Sequence, residues 1–283
     1  MRVILDTSVF HHFDYSSNIL YQLKRKGKIK VYITPMLLEE SLRLMSHSSA
    51  SSDLMKRLQF IRDISSERWL EDNFVIFKSE LGLLPRRKDY QFLYSWAEKD
   101  FKDNIQLILR GGGLDINVEH EAKTISANNR KKAENLRMMG LDMREAITQG
   151  VKVLGMKHKH ITETWYDFHG KSLNRWGVGL IRRKGCYSNA FQLSALLVWT
   201  MNKRKCPYFY DWVQGLLYAE FYNMKYPQLK IDRNAQADIQ HLIFLRDTDA
   251  IISEENNFMR KAWEDLYVPL GKKYFNVAEA AKL

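Results

Sequence analysis

The chain has 283 residues, 45% of them hydrophobic, 12% aromatic and 27% charged, with a formal net charge of +11. Such a composition supports a buried core and excludes a disordered or collagen-like chain, while Cys186 and Cys206 are too few and too far apart for a disulfide framework or a CxxC metal site. The most apolar late run, LSALLVWTM at 193–201, falls short of the ~20 residues that cross a bilayer, and Arg2 alone before Val3-Ile4-Leu5-Asp6 makes no signal-peptide pattern, so no membrane partner and a reducing, cytoplasmic setting are expected.

In chain order, RVILD (2–6) reads as a short buried strand closed by an acid. The stretch SSNILYQLKRKGK reads as a helix with serine caps, and KVYITP (30–35) as a second strand. Pro35 then sits where a helix N-terminus tolerates it, and MLLEESLRLM repeats apolar residues at helical spacing. The serine-rich SHSSASSD (46–53) is a break that offers Ser52 or Asp53 as a cap for the helix DLMKRLQFIRDI.

The middle of the chain has a different texture. Residues 86–205 carry 23 Lys+Arg against 12 Asp+Glu, so the whole positive excess sits there. A concentration of this kind is the electrostatic footprint of a protein that binds a polyanion, most often nucleic acid. The segment reads as mostly helical, through KDYQFLYSWAEKDFKDNIQLILR, a stretch around NNRKKAENLRMMG, and QLSALLVWTM. GGG at 111–113 lacks the Lys-Ser/Thr of a phosphate loop and reads as a turn.

At the far end, AQADIQHLIFLRD (235–247) is helical, AIIS (250–253) is a short buried strand, NNFMRKAWEDLY is helical and KKYFNV (272–277) is a strand. Strands thus alternate with helices at both ends, the pattern of an α/β unit with a mainly parallel sheet flanked by helices. The organisation expected is a core assembled from 1–85 and 206–283, interrupted by a basic, mostly helical insertion at 86–205. In such sheets the functional crevice lies beyond the carboxyl ends of the strands, where Asp6 and Glu254/Glu255 fall.

MRVILDTSVF followed by ITPMLLEESLRL and, much later, ADIQHLIFL followed by DAIISEENNF together resemble the PIN domain family of metal-dependent nucleases. In that family a first strand ends in Asp followed by hydroxyl residues, a second strand leads into a helix bearing Glu, a later helix begins with Asp, and the next strand ends in a Thr-Asp-Asp-x-x-Phe-like turn. All four landmarks occur here in order, over roughly residues 1–60 and 228–283, and the resemblance leaves the middle unexplained. It implies Asp6 as a shared metal ligand with Thr7 and Ser8 beside it, Glu40 on the helix with Glu39 as an alternative, Asp238, and Glu255 from the turn Ser253-Glu254-Glu255-Asn256-Asn257-Phe258. It further implies that Ser8 and Ser253 orient carboxylates and that Mg²⁺ or Mn²⁺ is the cofactor. Glu255 stands where the family carries aspartate, one methylene longer, and Asp249 ahead of the strand is a structural acid or a substitute ligand.

The chemistry gives the quartet a reason of its own. Carboxylates that converge in a crevice repel one another and need cations, and oxygen donors suit Mg²⁺ and Mn²⁺, which can activate water against a phosphodiester. Taken singly, each acid reads as a turn, cap or surface residue. By the resemblance, the function expected is metal-dependent phosphodiester hydrolysis, with single-stranded RNA favoured over DNA; a non-catalytic nucleic-acid-binding scaffold on a degenerate PIN fold, or a toxin held by an inhibitor protein, are the alternatives. Nucleic-acid contacts are expected from Arg175, Arg182, Arg183, Lys184, Lys203, Arg204 and Lys205, with Trp176, Tyr187 or Tyr208 as stacking candidates. His158, His160 and His169 read as part of a basic surface; His241, one turn beyond Asp238, could touch substrate or metal but reads first as a packed helix residue.

Overall fold

The computed structural model describes residues 1–42, 51–110, 164–183, 189–226 and 235–283. Its strands are β1 (Arg2–Leu5), β2 (Lys30–Ile33), β3 (Ser65–Trp69), β4 (Ala250–Ile252) and β5 (Lys273–Phe275). Its helices are α1 (Phe13–Arg25), α2 (Pro35–Leu42), α3 (Ser51–Ile64), α4 (Asn73–Glu80), α5 (Ser95–Leu109), α6 (Trp165–Arg183), α7 (Asn189–Met201), α8 (Pro207–Lys225), α9 (Ala235–Leu242), α10 (Phe258–Leu266) and α11 (Val277–Ala280). The five strands pair in the order β3-β2-β1-β4-β5, and every pairing is parallel. The architecture is α/β, as the alternation of apolar runs predicts.

Both faces of this sheet are buried, which explains why Val3-Ile4-Leu5 of β1 and Ala250-Ile251-Ile252 of β4 are apolar at successive positions rather than at every second one. Along β1, Ile4 points to one face, and Val3 and Leu5 to the other. Ile4 joins Ile251 and Tyr274 in a cluster built with α4, α6, α7, α8, α9 and α10. Val3 and Leu5 join Val31, Ile33, Ala250 and Ile252 in a second cluster, covered by Leu20 and Leu23 of α1, Leu58 and Ile61 of α3, Ile105 of α5 and Val277 of α11. The register Ile4↔Ile251 and Leu5↔Ile252 brings the two ends of the sequence side by side at the centre of the sheet.

One strand departs from the sequence reading, which places none between the helix at 53–64 and the middle segment. The segment Ser-Ser-Glu-Arg-Trp of β3 has a single large apolar residue, Trp69, so neither period nor composition marks it. It is a strand because β2 offers it a free edge, with the register shifting between Val31 and Ile33. The outer side of β3 is closed by a side chain: Glu98 Oε2 accepts from the Trp69 backbone N–H at 3.2 Å, which blunts an edge that could otherwise recruit another strand.

Within 86–205 the described residues are mostly helical, as expected, forming α5, α6 and α7, but the stretch expected to be helical from Lys88 becomes a helix only at Ser95, and Phe92 instead makes an antiparallel bridge to Leu70. The glycine run at 111–113, the stretch around NNRKKAENLRMMG, His158, His160, Lys184, Cys186 and Tyr187 lie outside the described residues. No described helix is long and apolar enough to cross a membrane.

Candidate metal centre

The strand order reverses at the β1/β4 boundary, since the chain leaves β1 toward β2 and β3 on one side and β4 toward β5 on the other. At such a point the flanking loops part and leave a crevice beyond the carboxyl ends of the strands. Asp6 emerges into it from β1, still tied to the sheet by its N–H to the Ile252 carbonyl at 3.0 Å. Extended backbone at Asp6 (φ −90°, ψ 155°) turns directly into a 3₁₀ segment, Thr7–His12, which Asp6 itself caps by accepting from the Ser8 N–H at 3.2 Å.

The Asp6 carboxylate is held on one oxygen. Its Oδ2 also accepts from the Ser8 hydroxyl and, at 2.8 Å, from the Ser253 hydroxyl at the end of β4. Those hydroxyls accept in turn from the chain that follows β4, Ser8 Oγ from the Glu254 N–H at 2.8 Å and Ser253 Oγ from the Glu255 N–H at 3.1 Å. Ser8 and Ser253 therefore fix the carboxylate and stitch the two strand ends together. The second oxygen, Oδ1, faces His241.

Glu40 arrives from α2, which begins at Pro35 and is capped by the Thr34 hydroxyl accepting from the Leu37 N–H at 3.2 Å. The Thr7 hydroxyl donates to Glu40 Oε2. His241 arrives from α9 and is 1% exposed. Its Nδ1 lies 3.4 Å from the Thr34 hydroxyl and its Nε2 3.7 Å from Asp6 Oδ1, and among the described residues Nε2 has no hydrogen-bond partner. One donor atom from each of Asp6, Glu40 and His241 falls within 4.8 Å of the other two, so this trio could hold a metal ion. An orphaned, buried imidazole nitrogen beside two carboxylates is the donor chemistry a divalent cation satisfies, so the residues present fit such an ion.

The other acids take different places. Asp238 is 6% exposed and sits one turn before His241 on α9, so the two share a helix face. Asp238 and Glu255 stand beside the trio rather than within its 4.8 Å span. Their charges meet at Tyr274, whose hydroxyl donates to the Glu255 carbonyl at 2.6 Å. Burial raises the Tyr274 phenol well above its ordinary value, a Ser253 hydrogen bond opposes the shift, and the negative charges of Asp6, Asp238 and Glu255 add to it. Of the neighbouring glutamates, Glu40 reaches the trio and Glu39 does not. Glu254 is turned away, accepting from the Val277 N–H at 2.8 Å.

Two expectations need correction. Asp249 is no ligand of this centre, because it precedes β4 and therefore lies at the opposite, amino end of the sheet, where it binds the Arg2 backbone N–H at 2.7 Å and the Arg2 guanidinium at 2.9 Å. Tyr208 cannot stack on a base, being 1% exposed with its hydroxyl bonded to Asp247. Among the basic residues, Arg175, Arg182, Arg204 and Lys205 are exposed, Lys203 is half-buried against Trp199, and the side chain of Arg183 lies outside the described residues.

His241 is the participant that the sequence reading weighs as a substrate or metal contact but ranks below packing. Its buried neighbours on α9, Ile239 and Leu242, give the helix an ordinary apolar face, and only the spacing from Asp238 hints at the site. Arg57 of α3 is a second residue with no sequence signal. Its guanidinium covers the Phe10 ring at 4.6 Å, where burial lowers its pKa and the charges of Asp53 and Glu40 counter that loss. A cation thus stands on the Glu40 side of the centre. Comparison of the chain with protein-family models, with curated proteins and with solved structures gave no match.

Proposed function

We propose that the protein is a divalent-metal-dependent nuclease that hydrolyses phosphodiester bonds at the carboxyl ends of β1 and β4, with single-stranded RNA favoured over DNA. The observation that carries the reading is the convergence of Asp6, Glu40 and His241 in a buried crevice at the strand-order reversal, in a chain whose entire charge excess lies elsewhere, in 86–205. The resemblance of residues 1–60 and 228–283 to the PIN domain family supports it from the sequence side.

When bound, Mg²⁺ or Mn²⁺ would supply Lewis-acid polarisation of a phosphoryl oxygen and activation of an attacking water. The residues do the rest. Ser8 and Ser253 hold Asp6 in one orientation, and Thr7 holds Glu40, so the carboxylates need not reorganise when a cation arrives. Asp238 and Glu255 extend the negative surface around the same crevice, where they can position further cations or the water that attacks. Arg57 beside Glu40, and the exposed Arg175, Arg182, Arg204 and Lys205, offer charges to phosphates.

The test is incubation with labelled single-stranded RNA and DNA in Mn²⁺, Mg²⁺ or EDTA. Cleavage is expected with metal, none with EDTA, and a loss of at least about a hundredfold in Asp6→Asn and Asp238→Asn, the scale on which removing a group that stabilises the transition state acts. Cleavage that survives in both variants would place the chemistry elsewhere. Binding without cleavage would favour the non-catalytic reading, for which the Glu255 side chain, one methylene longer than the aspartate of the resembled family, is the specific motive.

A further inference from the structure

We infer that His241 is a direct ligand through Nε2, and that this nitrogen makes the centre selective for first-row transition ions, Mn²⁺ among them, over Mg²⁺. The inference rests on the metal-centre reading above and goes beyond it, since an all-carboxylate site discriminates little between these ions and a site with imidazole does. Three observations point the same way. The Nε2 atom is fully buried with no hydrogen-bond partner among the described residues, and its 3.7 Å separation from Asp6 Oδ1 is too long for a hydrogen bond. The second ring nitrogen lies 3.4 Å from the Thr34 hydroxyl, which already accepts the Leu37 N–H and keeps a second lone pair for a donor. A proton on Nδ1, directed at Thr34, leaves the Nε2 lone pair facing Asp6 and Glu40, the tautomer that a ligating imidazole requires.

The alternative for a buried imidazole beside an aspartate is an ion pair with a proton on each nitrogen. The geometry disfavours it: Asp6 commits Oδ2 to Ser8 and Ser253, and Nε2 lies 3.7 Å from the Oδ1 that faces it, beyond hydrogen-bond distance. A gap of this size between a nitrogen and carboxylate oxygens is the space a cation occupies among its donors. Oxygen ligands suit Mg²⁺, which sheds its waters reluctantly and seeks octahedral oxygen, whereas a nitrogen donor raises affinity along the first-row series. Thr34 is then a positioning residue, setting the ring through Nδ1 while capping α2, so the sequence Ile33-Thr34-Pro35 serves strand, ring and helix together.

The experiment is metal binding, read without reference to nuclease activity. Chelator-stripped protein is titrated calorimetrically with MnCl₂ and with MgCl₂, and the Mn²⁺-loaded protein is examined by pulsed electron paramagnetic resonance for ¹⁴N coupling. The wild-type protein is expected to bind Mn²⁺ at least about tenfold more tightly than Mg²⁺ and to show one directly coordinated imidazole nitrogen. His241→Phe, which keeps the ring's bulk without a donor atom, is expected to lose the ¹⁴N signal and most of the Mn²⁺ advantage while retaining Mg²⁺ binding. Absence of ¹⁴N coupling in the wild-type protein, equal affinity for the two ions, or no Mn²⁺ binding would each overturn the inference, and the wild-type spectrum decides even if His241→Phe fails to fold. A protein that shows the coupling but cleaves no nucleic acid contradicts the nuclease proposal alone. One that cleaves with Mg²⁺ and shows no coupling contradicts this inference alone.

Discussion

The Ser8 hydroxyl touches three partners at once: it donates to Asp6 Oδ2, lies 3.0 Å from the Ser253 hydroxyl and accepts from the Glu254 N–H at 2.8 Å. Ser8→Ala therefore leaves a backbone N–H without its acceptor and Asp6 with one fewer restraint. The expected cost is about 1–3 kcal/mol in unfolding free energy by urea titration. Metal affinity should fall roughly tenfold, as it does when an outer partner of a ligand is lost. A second residue sets a pH dependence unconnected with the metal centre. Glu80, 3% exposed, caps the N-terminus of α8 by accepting from the Tyr208 N–H at 3.1 Å and the Phe209 N–H at 2.8 Å, and it also accepts from the Tyr90 hydroxyl at 2.8 Å. Burial outweighs these hydrogen bonds and raises its pKa from 4.5 to about 7. The folded protein then holds a proton that the unfolded chain has released across that window. Glu80 contributes its full stability below pH 4.5 and loses it as pH rises to about 7. Relative to Glu80→Gln, wild-type unfolding free energy should decline by roughly 3 kcal/mol over that range, at about 1.4 kcal/mol for each pH unit. Parallel pH profiles for the two proteins would refute the assignment.

At the scale of elements, the centre depends on how closely α9 approaches α8. Gly215 makes that approach, since a Cβ there would meet Ile239 Cγ2 at 2.5 Å, and Ile239 lies between Asp238 and His241. Gly215→Ala should push α9 outward, cost about 1–3 kcal/mol of overpacking strain in a denaturant titration, and weaken metal binding although it touches no ligand. Unchanged metal affinity in a destabilised variant would show that α9 is not positioned this way. The same helix shows where sequence reading stops. Asp6 is legible because an acid closes an apolar run, and Glu40 because it follows Pro35 on a helix, but Glu40 is separated from Glu39 only by the direction in which α2 presents them. His241 is only half legible: its spacing from Asp238 raises the possibility of a metal contact, but its helix looks like ordinary core packing, and its surroundings come from Thr34 and Asp6, both distant in sequence. β3 is hidden for a different reason: a polar edge strand is specified by the neighbour it pairs with rather than by its own pattern.

Across the whole molecule, the parallel pairing of β1 with β4 turns two distant ends of the chain into one crevice. The intervening residues, 86–205, supply the positive charge, while the rest of the chain is balanced. Under the proposed function, the acidic crevice and the basic stretch of sequence would divide the labour, with long-range attraction to a polyanion assigned to one and chemistry to the other. Asp249, which belongs to the opposite end of the sheet, shows that the acids near β4 serve two ends of the molecule: Asp249 ties down the amino edge through Arg2, while Glu255 borders the crevice. The most direct measurement is an anomalous difference map from crystals soaked in MnCl₂, collected at the manganese edge. The account predicts a peak within ligand distance of Asp6, Glu40 and His241, abolished in Asp6→Asn. A map with no peak in that crevice, or with manganese bound only at other surfaces, would contradict it.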